Sequence, residues 1–266
     1  MAANPCIAIW CSSIFTDTMR SNPDPIIESR SYGVTFYKTR DGYLAKEKSS
    51  ISAEKIKSDP RFARTRENGR EFMAAAKSGK LLRDSLRTMM MTASDPRITS
   101  RLTQLMMKIC KEDTVSMRGS RHPTNGVETT NGKELLKSFN FNIDSILGST
   151  LFKPYTVNTT TGEISIADFS PITDIAAPEG ATHFSLIGGM LVIDFSGRTF
   201  NLKLTNIINS SITATTLAVS LIPTSLPTGT GTKLFLLKMD FFQLVNGMQY
   251  PLRNGAFNAL ELVEMA

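Results

Sequence analysis

The chain has 266 residues, which is enough for one large domain or two modest ones with independent cores. Hydrophobic residues make up 41% and charged residues 20% of the chain, and this balance excludes disordered and fibrous classes. The net charge of +6 is unevenly spread, because residues 1–150 carry +8 and residues 151–266 carry −2.

The three cysteines, Cys6, Cys11 and Cys110, are too few and too uneven for a disulfide framework. We therefore expect reduced thiols. The apolar stretch at the N-terminus has no preceding Lys or Arg and is interrupted by Pro5, so it does not resemble a signal peptide. No apolar run approaches the roughly 20 residues that cross a bilayer. These features predict no membrane span and a protein located in the cytoplasm or in an assembled particle.

Residues 1–32 contain three prolines and no sustained period, which predicts an extended N-terminal arm. In the next segment, two β-favouring runs flank Asp41-Gly42, a residue pair that supplies the positive φ angles of a tight turn. This pattern predicts a β-hairpin.

Helical signals follow the hairpin. Ser52 is positioned to cap a short helix, and Asp59-Pro60 can start another. The strongest helix is predicted from about Gly69 to Met91. Its apolar face, placed by steps of about 100° per residue, consists of Phe72, Ala75, Ala76, Gly79, Leu82, Leu86 and Met90.

Asp95-Pro96 opens a further helix, whose apolar residues recur at intervals of three and four. These residues are Ile98, Leu102, Leu105, Met106 and Ile109. The short connection predicts that this helix lies antiparallel to the preceding one. Residues 114–131 are predicted to form a loop, and Gly132 to Phe139 a last short helix.

From about Leu151 the chain is rich in Thr, Ser, Val and Ile, and apolar runs alternate with Gly, Pro and Asn clusters. The runs are GEISIADF, HFSLIGGMLVIDF, FNLKLTNI, ATTLAVSLI and KLFLLKMDFFQLV. This pattern predicts six to eight antiparallel strands in a sandwich or barrel, with an immunoglobulin-like sandwich preferred.

The predicted fold class is therefore α+β, with an N-terminal β-hairpin and helical bundle and a C-terminal antiparallel β-sandwich. Three segments are expected: the arm at 1–32, a basic hairpin and helical domain at 33–148, and the β-sandwich domain at 149–266.

Three segments carry a resemblance to known sequences: FYKTRDGYLAKEKSSISAEKIKSDPRFARTRENGREF, AKSGKLLRDSLRTMM and NGMQYPLRNGAFNALELVE. They resemble a family of uncharacterised bacterial proteins from Bacteroidota-type genomes, over residues 33–266. The resemblance implies no activity and no functional residue.

The sequence contains few residues that could form a catalytic site. Only His122 and His183 offer an imidazole, and neither has a partner nucleophile or base in a recognisable motif. Neither lies at a ligand-like spacing from Cys6 and Cys11, so a structural zinc site is disfavoured. We expect no enzyme, no metal, no cofactor and no small-molecule substrate.

The stretch from Lys38 to Arg87 carries a surplus of +7 charges and is the main functional signal. Clustered cations can bind phosphates, and the candidates for phosphate or partner contacts are Arg61, Arg64, Arg66, Arg70, Lys77, Lys80 and Arg87. Tyr37 and Tyr43 could stack on bases. The competing interpretation is a solvated face whose cations pair with seven interleaved carboxylates.

Two functions follow. The first is a non-enzymatic structural or self-assembling protein: a subunit of a homo-oligomer, phage-like particle, tube or filament. The missing catalytic set, the proline-rich arm and the methionine-rich segments favour it. The alternative is a nucleic-acid-binding protein that uses the basic helical half.

Overall fold

The computed structural model describes residues 30–31, 34–39, 42–47 and 51–266. Most of the predicted arm, residues 1–29, lies outside the described residues. The chain divides into two compact units, Met1–Phe62 and Ala63–Ala266. The two units are described separately.

The first unit contains an antiparallel three-stranded sheet in the order β1 (Arg30–Ser31), β2 (Val34–Thr39) and β3 (Gly42–Glu47). Thr39 pairs with Gly42, whose φ of 127° suits glycine, so the hairpin prediction is confirmed. Asp41 lies outside the described residues.

A short helix, α1 (Ala53–Ser58), begins as predicted at Ser52, whose hydroxyl accepts a bond from the Lys55 N–H at 3.2 Å. A single 3-10 turn at Pro60–Phe62 closes the described part of this unit.

The second unit opens with α2 (Ala63–Ser85), and after a break at Leu86 continues in α3 (Arg87–Met90). The remaining helices are α4 (Ile98–Lys111), α5 (Pro123–Glu128), α6 (Thr130–Leu136), α7 (Leu147–Thr150) and α8 (Pro171–Asp174). The predicted loop at 114–131 thus contains α5 and the start of α6, because His122 and Thr129 each cap a helix.

Helices α2 and α4 pack against each other in opposite directions, as predicted. Gly79 in the middle of α2 contacts Leu102, whereas Phe72 lines a hollow with Met107 near the far end of α4. A Cβ at position 79 would lie 3.6 Å from the Leu102 Cγ, which is an ordinary van der Waals contact. All five apolar residues predicted to face the core from α4 are buried.

The predicted apolar face of α2 is only partly right. Ala75, Gly79 and Leu82 are buried, but Phe72 is 55% exposed and Ala76 is half-buried. In this turn of the helix Glu71 faces the core instead, because its carboxylate accepts a hydrogen bond from a backbone N–H of the loop after α4. The buried residues of α2 are Glu71, Ala75, Ser78, Gly79, Leu82 and Ser85.

The strands of the second unit are β4 (Thr156–Val157), β5 (Ile164–Phe169), β6 (His183–Asp194), β7 (Thr199–Ser211), β8 (Leu217–Leu221), β9 (Thr232–Val245), β10 (Met248–Pro251) and β11 (Ala259–Met265). A five-stranded antiparallel sheet has the order β10-β9-β6-β7, with β11 also paired to β9. A smaller antiparallel sheet has the order β4-β5-β8.

The large sheet lies between the small sheet and the helices. Phe184 and Phe235 on one face share a buried cluster with Ile164 of the small sheet. Leu191 and Leu234 on the other face share a cluster with the helices. Because both faces are buried, β6 and β9 are almost continuously apolar. The class is α+β with antiparallel sheets, as predicted, and the helices and the large sheet share one core.

Candidate interaction surfaces

The seven predicted cations differ in their exposure and in their partners. Arg61 belongs to the first unit, where it pairs with Asp59 at 2.7 Å. Arg64 lies 3.4 Å from Glu67, and the Arg70 Nε donates to the Gly119 carbonyl at 2.9 Å. Arg66 is half-buried. Arg61, Arg64 and Arg70 each have a partner within the protein but remain exposed to solvent.

The remaining three cations stay open to solvent. Lys77 and Lys80 on α2 and Arg87 on α3 are exposed, and the described part of the chain provides no ion pair for any of them. A phosphate here would break no ion pair among the described residues, although Asp84 lines a hollow with Arg87. These three candidates have no ion pair within the described ranges.

The loop between α4 and α5 is held by a buried carboxylate that the sequence analysis did not single out. Asp113 Oδ1 accepts from the N–H groups of Val115 and Ser116 at 3.0 and 2.9 Å. Asp113 Oδ2 accepts from the His122 N–H and from the Asn125 side chain. Burial would raise the pKa of Asp113, but these donors outweigh it and lower the pKa.

A second buried carboxylate holds the other end of the loop. Glu71 Oε1 accepts from the Gly119 N–H at 2.6 Å, and Arg118 lies 3.5 Å from Glu67. Gly119 has a φ of 85°, and a Cβ there would lie 2.6 Å from the Cγ of Glu67. Glycine is thus required for both the backbone conformation and the close packing.

This rigid loop presents two apolar side chains to solvent. Val115 and Met117 are each 86% exposed, although the backbone on both sides is anchored. An Asp whose side chain can accept from the backbone N–H two residues on is a signal for such a turn. The exposure of Val115 and Met117 has no signal in the sequence.

The β9–β10 hairpin forms another exposed surface. Asn246 and Gly247 make its turn with φ values of 50° and 79°, as expected for a two-residue hairpin loop. The sequence between Asp240 and Arg253 contains no charged residue. Four large apolar side chains on the hairpin are 42% to 63% exposed: Leu244, Val245, Met248 and Tyr250. Within the described residues no strand pairs with the outer edge of β10.

The two histidines both contact neighbouring residues in the chain. His122 Nδ1 accepts from the Thr124 N–H at 3.2 Å and so caps α5. Burial, followed by the charge of Arg198, lowers the pKa of His122. His183 Nδ1 lies 3.0 Å from the Thr182 hydroxyl.

Cys110 is buried within α4, where desolvation and then the charges of Glu71 and Asp113 raise the pKa of its thiol to about 11. A thiol with such a pKa is a poor nucleophile at neutral pH. Among the residues described, no group of His, Cys, Asp and Glu is arranged to hold a metal ion. None of the helices described is long and apolar enough to cross a membrane.

Comparison with known proteins gave no matching family model, no matching curated protein and no matching solved structure.

Proposed function

We propose that the protein is a structural subunit that assembles with copies of itself through the β9–β10 hairpin. The observation that carries this proposal is the edge presented by that hairpin, which is uncharged, exposes apolar side chains and has no pairing strand among the described residues. Met and Tyr are enriched in protein interfaces, and charged residues are depleted from interface cores.

The absence of charge on the hairpin favours a second copy as the partner. A chain with a net charge of +6 repels its copies wherever basic patches meet. At the hairpin that repulsion is weak, because residues 241–252 carry no charge. An open strand edge also provides backbone N–H and C=O groups that a neighbouring strand can pair with.

Sedimentation velocity over a range of concentrations tests the proposal. The wild type is expected to form assemblies, and the Met248→Lys/Tyr250→Lys double variant is expected to sediment as a monomer of 29.3 kDa. Lysine on an exposed edge opposes edge pairing. Met91→Lys is the matched control, because Met91 is 77% exposed but lies outside the hairpin. A wild type that stays monomeric at every concentration contradicts the proposal.

The second candidate function is nucleic-acid binding through Lys77, Lys80 and Arg87, which are exposed and lack ion pairs in the described part of the chain. We expect affinity for an oligonucleotide to fall steeply as salt rises, and a Lys77→Gln/Lys80→Gln variant to show a shallower salt dependence. Self-assembly through an uncharged edge has the opposite dependence, because salt screens the repulsion between copies. Unchanged binding by the variant would exclude this surface.

Two finer features belong to the same proposal. The two facing sheets share a buried cluster, which supports an immunoglobulin-like sandwich as the β layer. A location in the cytoplasm or in an assembled particle accords with an assembly subunit.

A further inference from the structure

We propose that the loop between α4 and α5 docks on an anionic lipid surface, with Val115 and Met117 entering the lipid and the surrounding arginines contacting headgroup phosphates. This inference is independent of self-assembly, because it concerns a different surface and different residues.

The loop has the rigidity that such insertion needs. Asp113 fixes its start through two N–H bonds, and Glu71 fixes its end through the Gly119 N–H. The backbone is therefore already ordered before binding. Insertion of Val115 and Met117 then costs mainly side-chain entropy, and the apolar area removed from water is retained as binding free energy.

The charged side chains around the loop favour a negatively charged partner. Arg64 and Arg118 both approach the carboxylate of Glu67, so these three groups together keep one positive charge. Arg70 is exposed and holds the Gly119 carbonyl, which leaves its charge without an ion pair among the described residues. The carboxylates of Asp113 and Glu71 are buried under the loop. The exposed charge is thus positive and attracts an anionic surface.

The shape of the site favours lipid over protein. With 86% of each side chain in solvent, Val115 and Met117 protrude instead of lining a groove. A protein partner would need a preformed pocket for them, whereas the boundary between headgroups and acyl chains deforms around protruding side chains. A second copy of this chain is disfavoured because its own positive charge would meet the same arginines.

Vesicle co-sedimentation tests the proposal with the full chain. We expect the wild type to bind phosphatidylcholine vesicles that contain about 30 mol % phosphatidylserine, and to bind pure phosphatidylcholine at least about tenfold more weakly. The Val115→Ser/Met117→Ser double variant should lose about tenfold or more in affinity, since its side chains no longer gain from transfer into lipid. Met91→Ser controls for loss of an exposed apolar side chain elsewhere.

A gain-of-signal variant keeps the test informative if the double variant folds poorly. Val115→Trp places an indole, which favours the membrane interface, at the tip of the loop. Its fluorescence should shift to shorter wavelength when anionic vesicles are added, relative to the wild type with its single Trp10. The proposal is overturned if the wild type ignores anionic vesicles, if the double variant binds them equally well, or if Val115→Trp shows no shift.

Discussion

At the residue scale, the loop after α4 depends on one buried carboxylate that serves four donors. Asp113 is only 2% exposed, yet its two oxygens accept from three backbone N–H groups and from Asn125. A carboxylate that receives this many bonds is held in its charged form. The negative charge is therefore part of the folded structure, and removing it leaves buried N–H groups with a weaker acceptor.

We expect Asp113→Asn to lower the free energy of unfolding by about 1–3 kcal/mol at pH 7, because the replacement amide accepts weaker bonds. The folded-state pKa of Asp113 is lowered. Its contribution is therefore present above the unfolded pKa of about 3.9 and is lost as pH falls below it.

Urea unfolding at neutral pH and near pH 3 checks this dependence. The stability difference between wild type and Asp113→Asn should shrink in acid. Asp144→Asn is the control, since Asp144 is exposed and should give a small difference at both pH values. An equal effect of Asp113→Asn at both pH values would contradict the assigned role of the charge.

At the element scale, the contact between α4 and α5 leaves no room for a side chain. A Cβ on Gly126 would overlap the carbonyl oxygen of Ile109, which belongs to the backbone and cannot rotate away. By contrast, a Cβ on Gly69 in α2 would meet nothing within 4 Å. Of these two helical glycines, packing requires only Gly126.

We expect Gly126→Ala to destabilise the protein by about 1–3 kcal/mol or more, because α5 must shift away from α4. Gly69→Ala should instead stabilise it by up to about 1 kcal/mol, since alanine is the better helix former. Thermal unfolding of the two variants gives the comparison directly. If Gly126→Ala did not destabilise the protein, α4 and α5 would not be packed as described.

The elements that could be predicted from the sequence are those in which the spacing of apolar residues indicates burial. The five apolar runs after Leu151 correspond to β5–β9, and the apolar face of α4 was predicted without error. The prediction failed at Phe72, because a polar residue, Glu71, takes the buried position through a bond to a distant loop. Long-range bonds of this kind leave no periodic signal. The Asp113 site was missed although its bonds are local, because a carboxylate buried beneath a turn also leaves no periodic signal.

At the scale of the whole molecule, the helices and the large sheet do not have separate cores. Leu191, Leu234 and Leu260 face residues from α2 and α4 in one cluster. Without the helices, that face of the sheet would be exposed to water. An apolar face of this size drives association.

We therefore expect a fragment of residues 149–266 to aggregate, and a fragment of residues 63–266 to remain folded with a single cooperative unfolding transition. Circular dichroism and light scattering on both fragments test this. A monomeric, folded fragment of residues 149–266 would support the boundary predicted from the sequence near residue 148.

The burial of both faces of the large sheet also changes what specifies strand alignment. In a sheet with one face in solvent, a shift of the strand register by one residue exposes the core side chains. Because both faces of the large sheet are buried, β6 would bury apolar side chains in either register. Polar groups must therefore determine the alignment of the strands. The Gly188 N–H donates to Thr205 at 2.8 Å, and Lys238 contacts Asp240 and Thr92, each at 2.7 Å. A slip would turn the Lys238 and Asp240 charges towards the small sheet, away from Thr92, so a few hydrogen bonds select one alignment among several that are equally apolar.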